Sequence, residues 1–341
     1  MSQEISEIQV TRSQMVEVAS RILANVGTPQ ERAHSVADSL VKAQEVGHAS
    51  HGVIRLVEYV SFVQKGTVIA DATPQVVADR GATAMIDGSW GWGQIACKFA
   101  VELLRKKTKE LGTATITIKN VNHIGRLGEY VENLANDGLV AMMWCNSDPS
   151  VAAFGGRERL FGTNPFAAAI PSDGEPMVID FATAASAEGK LRVARANGQK
   201  IPLGIVVDKE GKESNDPEAF YSGGALLPFG GHKGYCLSLL IELVGGALSG
   251  GHPSTTAHYS RGNGTVLTAY DPAFFAGAEE FAADIKESVK KIKSTTPVNP
   301  AQPVLLPGEV ERQFQTKNAS SITISSAIWK QITDLDASLA K

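Results

Sequence analysis

The chain changes texture at about residue 82, and that change limits what it can fold into. Before it, apolar residues recur at helical spacing with stop signals between them; after it, short β-branched runs alternate with longer amphipathic segments. Thr11 can cap a helix running to about Val26, with Gly27 as its stop. Thr28-Pro29-Gln30-Glu31 then supplies an N-cap, a proline at the first helical position and a capping-box acid for a second helix reaching about Val46. A third helix is predicted from Ser50, as its cap, to Gly66, because Val53, Leu56, Val57, Val60, Phe62 and Val63 follow a roughly helical period.

From Ala82, strands are predicted at Thr83 to Ile86, Thr113 to Ile118, Leu139 to Trp144, Pro165 to Ile170, Met177 to Ile179, Ile205 to Val207 and Thr265 to Ala269. Helices are interleaved at about Gln94 to Glu110, Arg126 to Asn136, His232 to Leu248 and Ala278 to Lys293. Pro297, Pro300, Pro303 and Pro307 make an extended tether, and Ser326 to Leu339 should close the chain as a helix. The expected division is a helical lobe, residues 1–80, packed with the C-terminal segment 300–341, and an α/β body over 81–299.

At 341 residues the chain exceeds the roughly 250 to 300 at which single cores stop growing, so lobes around a shared cleft are expected. With 32 Lys+Arg against 36 Asp+Glu there is no basic field to attract nucleic acid or an anionic membrane, which leaves a small molecule as the expected partner. Cys97, Cys145 and Cys236 stand far apart and outside any CxxC pattern, so no disulfide framework or thiolate metal site is indicated and a reducing, cytoplasmic compartment fits. Met1 to Val10 lacks the basic and apolar regions of a signal peptide. The most apolar stretch, Tyr235 to Gly250, carries Glu242 and falls short of the about 20 residues that span a bilayer.

Gly91-Trp92-Gly93-Gln94-Ile95-Ala96 matches GxGxxA between a predicted strand and a predicted helix, which invites a Rossmann reading. The next strand argues against it. An NAD-binding unit needs an acidic residue where that strand ends, and here Thr113 to Ile118 ends in Lys119-Asn120. Lys119 could serve an NADP-binding variant; a tight strand-to-helix turn is the plainer role.

Three other stretches carry chemistry. If Ser50 caps a helix, His51 lies in its first turn and Arg55 one turn on, so an imidazole and a guanidinium point into one space. Reduction of a 2-oxo acid needs a cation for the carboxylate and an acid for the nascent alkoxide. The alternative is a plain cap followed by solvated side chains. His48 and His51 are three apart, and with His123 they keep a metal-dependent hydrolase open, although HxxH without a carboxylate is a poor metal signature and no metal is expected. Asn122-His123-Ile124-Gly125-Arg126 joins a strand to a helix whose first amides, with Arg126, could hold an anion, and Asp148 in the following Asn-Ser-Asp-Pro turn could orient His123. Gly231-His232-Lys233-Gly234 opens a long apolar helix, where the Lys233 charge adds to the helix dipole at a plausible diphosphate site.

In order along the chain, Gly47-His48-Ala49-Ser50-His51-Gly52, Asn122 to Arg126, Phe161-Gly162-Thr163-Asn164-Pro165-Phe166, Asp180-Phe181-Ala182-Thr183, Gly189 to Ala194, His232-Lys233-Gly234-Tyr235, Gly245 to Gly251 and Leu306-Pro307-Gly308-Glu309 closely resemble the malate/L-lactate/L-sulfolactate dehydrogenase superfamily, over about residues 10 to 315. Arg126 and the Lys190-Leu191-Arg192-Val193-Ala194 segment most resemble its broad-range 2-hydroxycarboxylate dehydrogenases. The resemblance implies a homodimer with a sulfolactate dehydrogenase-like α/β fold, its non-Rossmann NADH- or NADPH-binding domain built on a largely antiparallel sheet. It implies a proton donor at His51 supported by Ser50, with Arg55 and Thr163 on the substrate, or in some members the acid/base role at His123 paired with Asp148. Cofactor contacts are implied at His123, Ile124, Gly125, Arg126, Leu127, Ser147, Asp180, Phe181, Ala182, Thr183, His232, Lys233, Pro307, Gly308 and Glu309. Cyclic imino acid reductases share the frame and can carry an aspartate near Lys190, which is lacking here.

Overall fold

The computed structural model describes residues 6–340; Met1–Ile5, the first half of the segment that lacks signal-peptide features, lie outside the described residues. The first helix, Arg12–Asn25, starts at a capping box: the Thr11 hydroxyl accepts the Gln14 amide and the Gln14 side chain accepts the Thr11 amide, both at 3.2 Å. The second, Gln30–Glu45, has Pro29 at its cap position. Thr28 does not cap it as predicted, because its buried hydroxyl accepts the Trp92 indole N–H at 2.9 Å.

The third helix departs further from its prediction. Two single 3₁₀ turns, Ala49–His51 and Val53–Arg55, come first, and the α-helix runs only over Leu56–Gln64. Gly52 between the turns is extended (φ −86°, ψ −157°), and a Cβ there would lie 2.4 Å from Gln44 Oε1. Packing against the second helix thus breaks the regular helix that the spacing suggested.

The body is built on a seven-stranded sheet ordered Gln75–Arg80, Thr83–Asp87, Thr113–Lys119, Thr265–Tyr270, Val140–Cys145, Phe166–Ile170, Met177–Phe181. Every junction is antiparallel except that between Thr83–Asp87 and Thr113–Lys119, which flank the crossover helix Gly93–Leu111. That helix and Gly128–Asn136 cover one face and bury Ile86, Ile116, Ile118, Leu134 and Met143. Each such side chain contributes about 1.5–3 kcal/mol through burial. The helical lobe lies over this layer, Gln30–Glu45 against Gly93–Leu111.

The lobe closes with the end of the chain. Strand Ile322–Ser325 pairs antiparallel with Glu7–Val10, and helix Ser326–Leu339 packs on Arg12–Asn25, where Arg21 Nη2 meets Asp336 at 2.7 Å. Neither strand was predicted. A second sheet of five short strands, Glu213–Ser214, Val206–Val207, Ala225–Leu226, Val151–Ala152 and Arg159–Phe161, stands apart, with helix Glu188–Ala196 beside it. The predicted His232 to Leu248 helix is α-helical only to Leu243, then widens into a π turn, Val244–Leu248. A Cβ on Gly246 in that turn would stand 2.5 Å from the Pro253 amide nitrogen. Fully buried Glu242 accepts Asn146 Nδ2 at 3.1 Å and Asn164 Nδ2 at 2.8 Å, tying this helix to two strand ends. The proline-rich tether forms no helix or strand and leads into an unpredicted helix, Glu309–Lys317. Among the described residues, no helix is long and apolar enough to cross a membrane.

Candidate active site

The two 3₁₀ turns bring Ser50, His51 and Arg55 together without a shared helical face. Ser50 Oγ lies 3.0 Å from His51 Nδ1, and Arg55 Nε donates to the Ser50 carbonyl at 2.8 Å. Arg55 Nη1 meets Glu58 at 2.5 Å, which leaves the Nη2 end of the guanidinium uncommitted. Opposite stands His123, from the loop after Thr113–Lys119, its ring stacked on His51 at 5.5 Å and 23°. His123 Nδ1 is 2.7 Å from the Tyr59 hydroxyl, which in turn receives Gln94 Nε2 at 2.7 Å. Gly93 permits this approach, since a Cβ there would be 2.4 Å from the His123 carbonyl oxygen.

Burial, with Arg55, His48 and Arg126 adding positive charge, holds His51 down at about 3; burial with Arg55 and His51 holds His123 well below its ordinary value. Both rings are therefore neutral at neutral pH. Burial also pushes the Tyr59 phenol up to about 12, so it is a hydrogen-bond donor there. His48 turns to Glu311, Nε2 to Oε1 3.2 Å, so the three-histidine constellation of the hydrolase reading is not assembled. Among the described residues, no group of three or more His, Cys, Asp or Glu is placed to hold a metal.

A row of backbone ties leads away from the histidines. Gly128 N donates to Asp180 Oδ2 at 2.8 Å, the Pro307 carbonyl accepts Val178 N at 3.1 Å, and Phe229 N donates to the Thr183 carbonyl at 2.9 Å. The half-exposed Phe181 ring packs on Phe229 at 5.6 Å, just before the Gly230-Gly231 turn (φ 56° and 63°) that opens helix His232–Leu243. His232 and Lys233 are exposed at that opening, and Lys233 has no ion-pair partner among the described residues. Gly162 packs against Ser147, so Ser147 lies beside Thr163, whose carbonyl accepts the buried Thr183 hydroxyl at 3.0 Å.

A model of the malate/L-lactate dehydrogenase family matches residues 10–333. The chain belongs to that family. It is 36% identical to an L-sulfolactate dehydrogenase of Methanocaldococcus jannaschii, over 92% of each chain. It is 37% identical to a Δ1-pyrroline-2-carboxylate/Δ1-piperideine-2-carboxylate reductase of Pseudomonas putida, over 84% of this chain and 86% of the relative. Its structure superposes on a malate dehydrogenase of Pyrococcus horikoshii with a TM-score of 0.88 at 31% identity, covering 99% of this chain and 97% of that one. It is an oxidoreductase of the malate/L-lactate dehydrogenase family.

Two geometric expectations, the Asp148–His123 pairing and Arg126 at a helix opening, are not met. Asp148 does not pair with His123: it is exposed and accepts the Tyr259 hydroxyl at 2.6 Å, while Tyr59 occupies His123 Nδ1. Arg126 does not open a helix toward a ligand. The helix begins at Gly128, and the buried Arg126 side chain lies 3.5 Å from Asp180 and 4.0 Å from Glu132. Burial pushes the Asp180 carboxyl up against the pull of Arg126. Asp180 is tied to the Gly128 amide, whereas Arg126 Nε and Nη1 are buried without a hydrogen-bond partner among the described residues. Ile124 and Leu127 are core residues, and Glu309 is committed to Lys293 at 2.6 Å and the Leu306 amide at 2.8 Å.

Tyr59 and Gln94 were missed. Tyr59 follows Arg55 by one helical turn, but it stands in an apolar run that reads as core. Gln94 was inside the GxGxxA match, whose tight-turn role the helix start at Gly93 supports.

Proposed function

We propose that the protein interconverts a 2-oxo acid and the 2-hydroxy acid, using NADH or NADPH bound outside any Rossmann unit. The observation that carries this reading is the neutral, stacked His51–His123 pair beside a half-committed Arg55. Arg55 receives the substrate carboxylate with its Nη2 end, and Thr163, whose hydroxyl has no hydrogen-bond partner among the described residues, completes the grip. His51, steadied through Nδ1 by Ser50, exchanges the proton with the substrate oxygen. An anion bound to Arg55 offsets one of the charges that oppose protonation of His51, so substrate binding itself readies the acid.

The residues fit a dinucleotide. Lys233, without an ion-pair partner among the described residues, the exposed His232-Lys233 opening after Gly230-Gly231 and the half-exposed Phe181 supply an anion cradle and an apolar wall. His232, Ser147, Ala182, Pro307 and Gly308 border the same row, with Ile124, Gly125 and Leu127 offering backbone alone. When bound, the reduced nicotinamide supplies the hydride that C2 accepts. The exposed Leu240, Leu243 and Leu248 on and after helix His232–Leu243 support a homodimer, and the three free thiols support a cytoplasmic setting.

Reduction of a cyclic imino acid is the second reading, favoured by the Pseudomonas putida relative. Glu188, beside Gly189 at the Ser50 wall, is the acidic group nearest Lys190, but it is committed to Tyr221 at 2.6 Å and Arg192 at 2.7 Å. Absorbance of NADH and NADPH should be followed against aliphatic, aromatic and sulfonated 2-oxo acids and against piperideine- and pyrroline-2-carboxylate. Turnover of a 2-oxo acid is the expected result. Turnover of the cyclic imines alone transfers the site to the second reading, and no turnover at all removes both.

A further inference from the structure

We infer that Tyr59 and Gln94 lock His123 as the Nε2–H tautomer, so that His123 presents a fixed hydrogen-bond donor to the cleft while His51 moves the proton. The three groups form a one-way chain. Gln94 is fully buried, and its amide nitrogen, 2.7 Å from the Tyr59 oxygen, has hydrogens to give and no lone pair to offer. The Tyr59 oxygen is therefore an acceptor toward Gln94. Its single hydrogen is left for the other neighbour, His123 Nδ1, at 2.7 Å. A nitrogen that accepts carries no proton in neutral imidazole, so the proton of His123 sits on Nε2.

The consequence is a division of labour that spacing alone did not settle. Protonating His123 would require Tyr59 to reverse its hydrogen bond, and that in turn requires the buried Gln94 amide to turn over and present its Oε1, which has no partner among the described residues. The other charged and titratable groups bearing on His123 are Arg55 and His51, and both oppose a positive charge on it. His51 has a hydroxyl on Nδ1, which can donate or accept as Ser50 rotates, so its protonation state is free to change. Tyr59 and Gln94 touch neither substrate nor cofactor in this scheme; they are positioning residues. Their catalytic consequence rests on the cleft being the active site, whereas the tautomer does not.

The test is nitrogen NMR of protein labelled at the histidine side chains, read without ligand. Wild type should show His123 with a protonated Nε2 and a bare Nδ1. Tyr59→Phe should give a mixture of tautomers, with His123 titrating closer to its ordinary value, kcat about tenfold lower and KM within about twofold. Gln94→Glu replaces the donor with an acceptor, so Tyr59 turns toward it and His123 should shift to a protonated Nδ1. A protonated Nδ1 in wild type, or an unchanged His123 tautomer in Tyr59→Phe, overturns the lock. If Gln94→Glu does not fold, the wild-type and Tyr59→Phe spectra still decide. A locked tautomer in a protein that turns over no 2-oxo or imino acid would sink the function and leave the lock standing.

Discussion

The two ends of the site handle charge in opposite ways. At the histidine end the rings are desolvated, stacked and neutral, and the inner nitrogen of each already has a partner. At the Lys233 end a cation stands exposed behind two glycines without an ion-pair partner among the described residues, while the next amides, of Gly234 and Tyr235, already donate to the Phe229 and Gly231 carbonyls. Groups that react are fixed in advance, because a misplaced acid or base forfeits rate. An open cation, by contrast, is one from which an incoming anion would displace only water.

That contrast predicts effects of different size and kind. His51→Ala should lower kcat by about 10²-fold or more with cofactor affinity unchanged; retained turnover would erase the reactive end as drawn. Arg55→Met should raise KM for the 2-oxo acid by about 10²-fold through loss of a charge-assisted contact, with a smaller change in kcat. Lys233→Ala should raise the cofactor KM by about tenfold and leave kcat nearly constant, and a fall in kcat instead would merge the two ends.

The smallest effect is on stability. The folded chain holds residue 51 at about 3 whereas the unfolded chain titrates near the ordinary 6.5. The unfolded state therefore binds the extra proton between those values. The contribution is complete above about pH 6.5 and is lost as pH falls toward 3, at no more than about 1.4 kcal/mol per pH unit. His51→Asn should flatten that part of the urea-unfolding profile, and an unaltered acid slope would show that the ring is not held neutral.

What the sequence disclosed depended on the range of the forces involved. The central strands follow from local β-branched runs, and the first helix from Thr11 and Gly27, because each signal acts within a turn or two. The break at Gly52 was illegible, since it is imposed by Gln44 packed across from it. Strands Glu7–Val10 and Ile322–Ser325 were missed for the same reason: each is ordered by a partner at the far end of the chain. In the site, His51, His123 and Arg55 could be named from their types and neighbours. The Asp148 pairing failed because adjacent strand ends do not reveal which side chains turn toward each other, and Tyr259 reached that carboxylate from a distant loop.

The pairing of Glu7–Val10 with Ile322–Ser325 also sets a schedule for synthesis. The turn bearing His51 and Arg55 leaves the ribosome early, but the lobe behind it shares a core with Ile322, Ile324 and Ile332. Until those residues emerge, apolar side chains of the first helices remain uncovered and in need of shelter. A nascent chain therefore carries the His51–Arg55 turn long before it has the strand and helix that complete the lobe behind it.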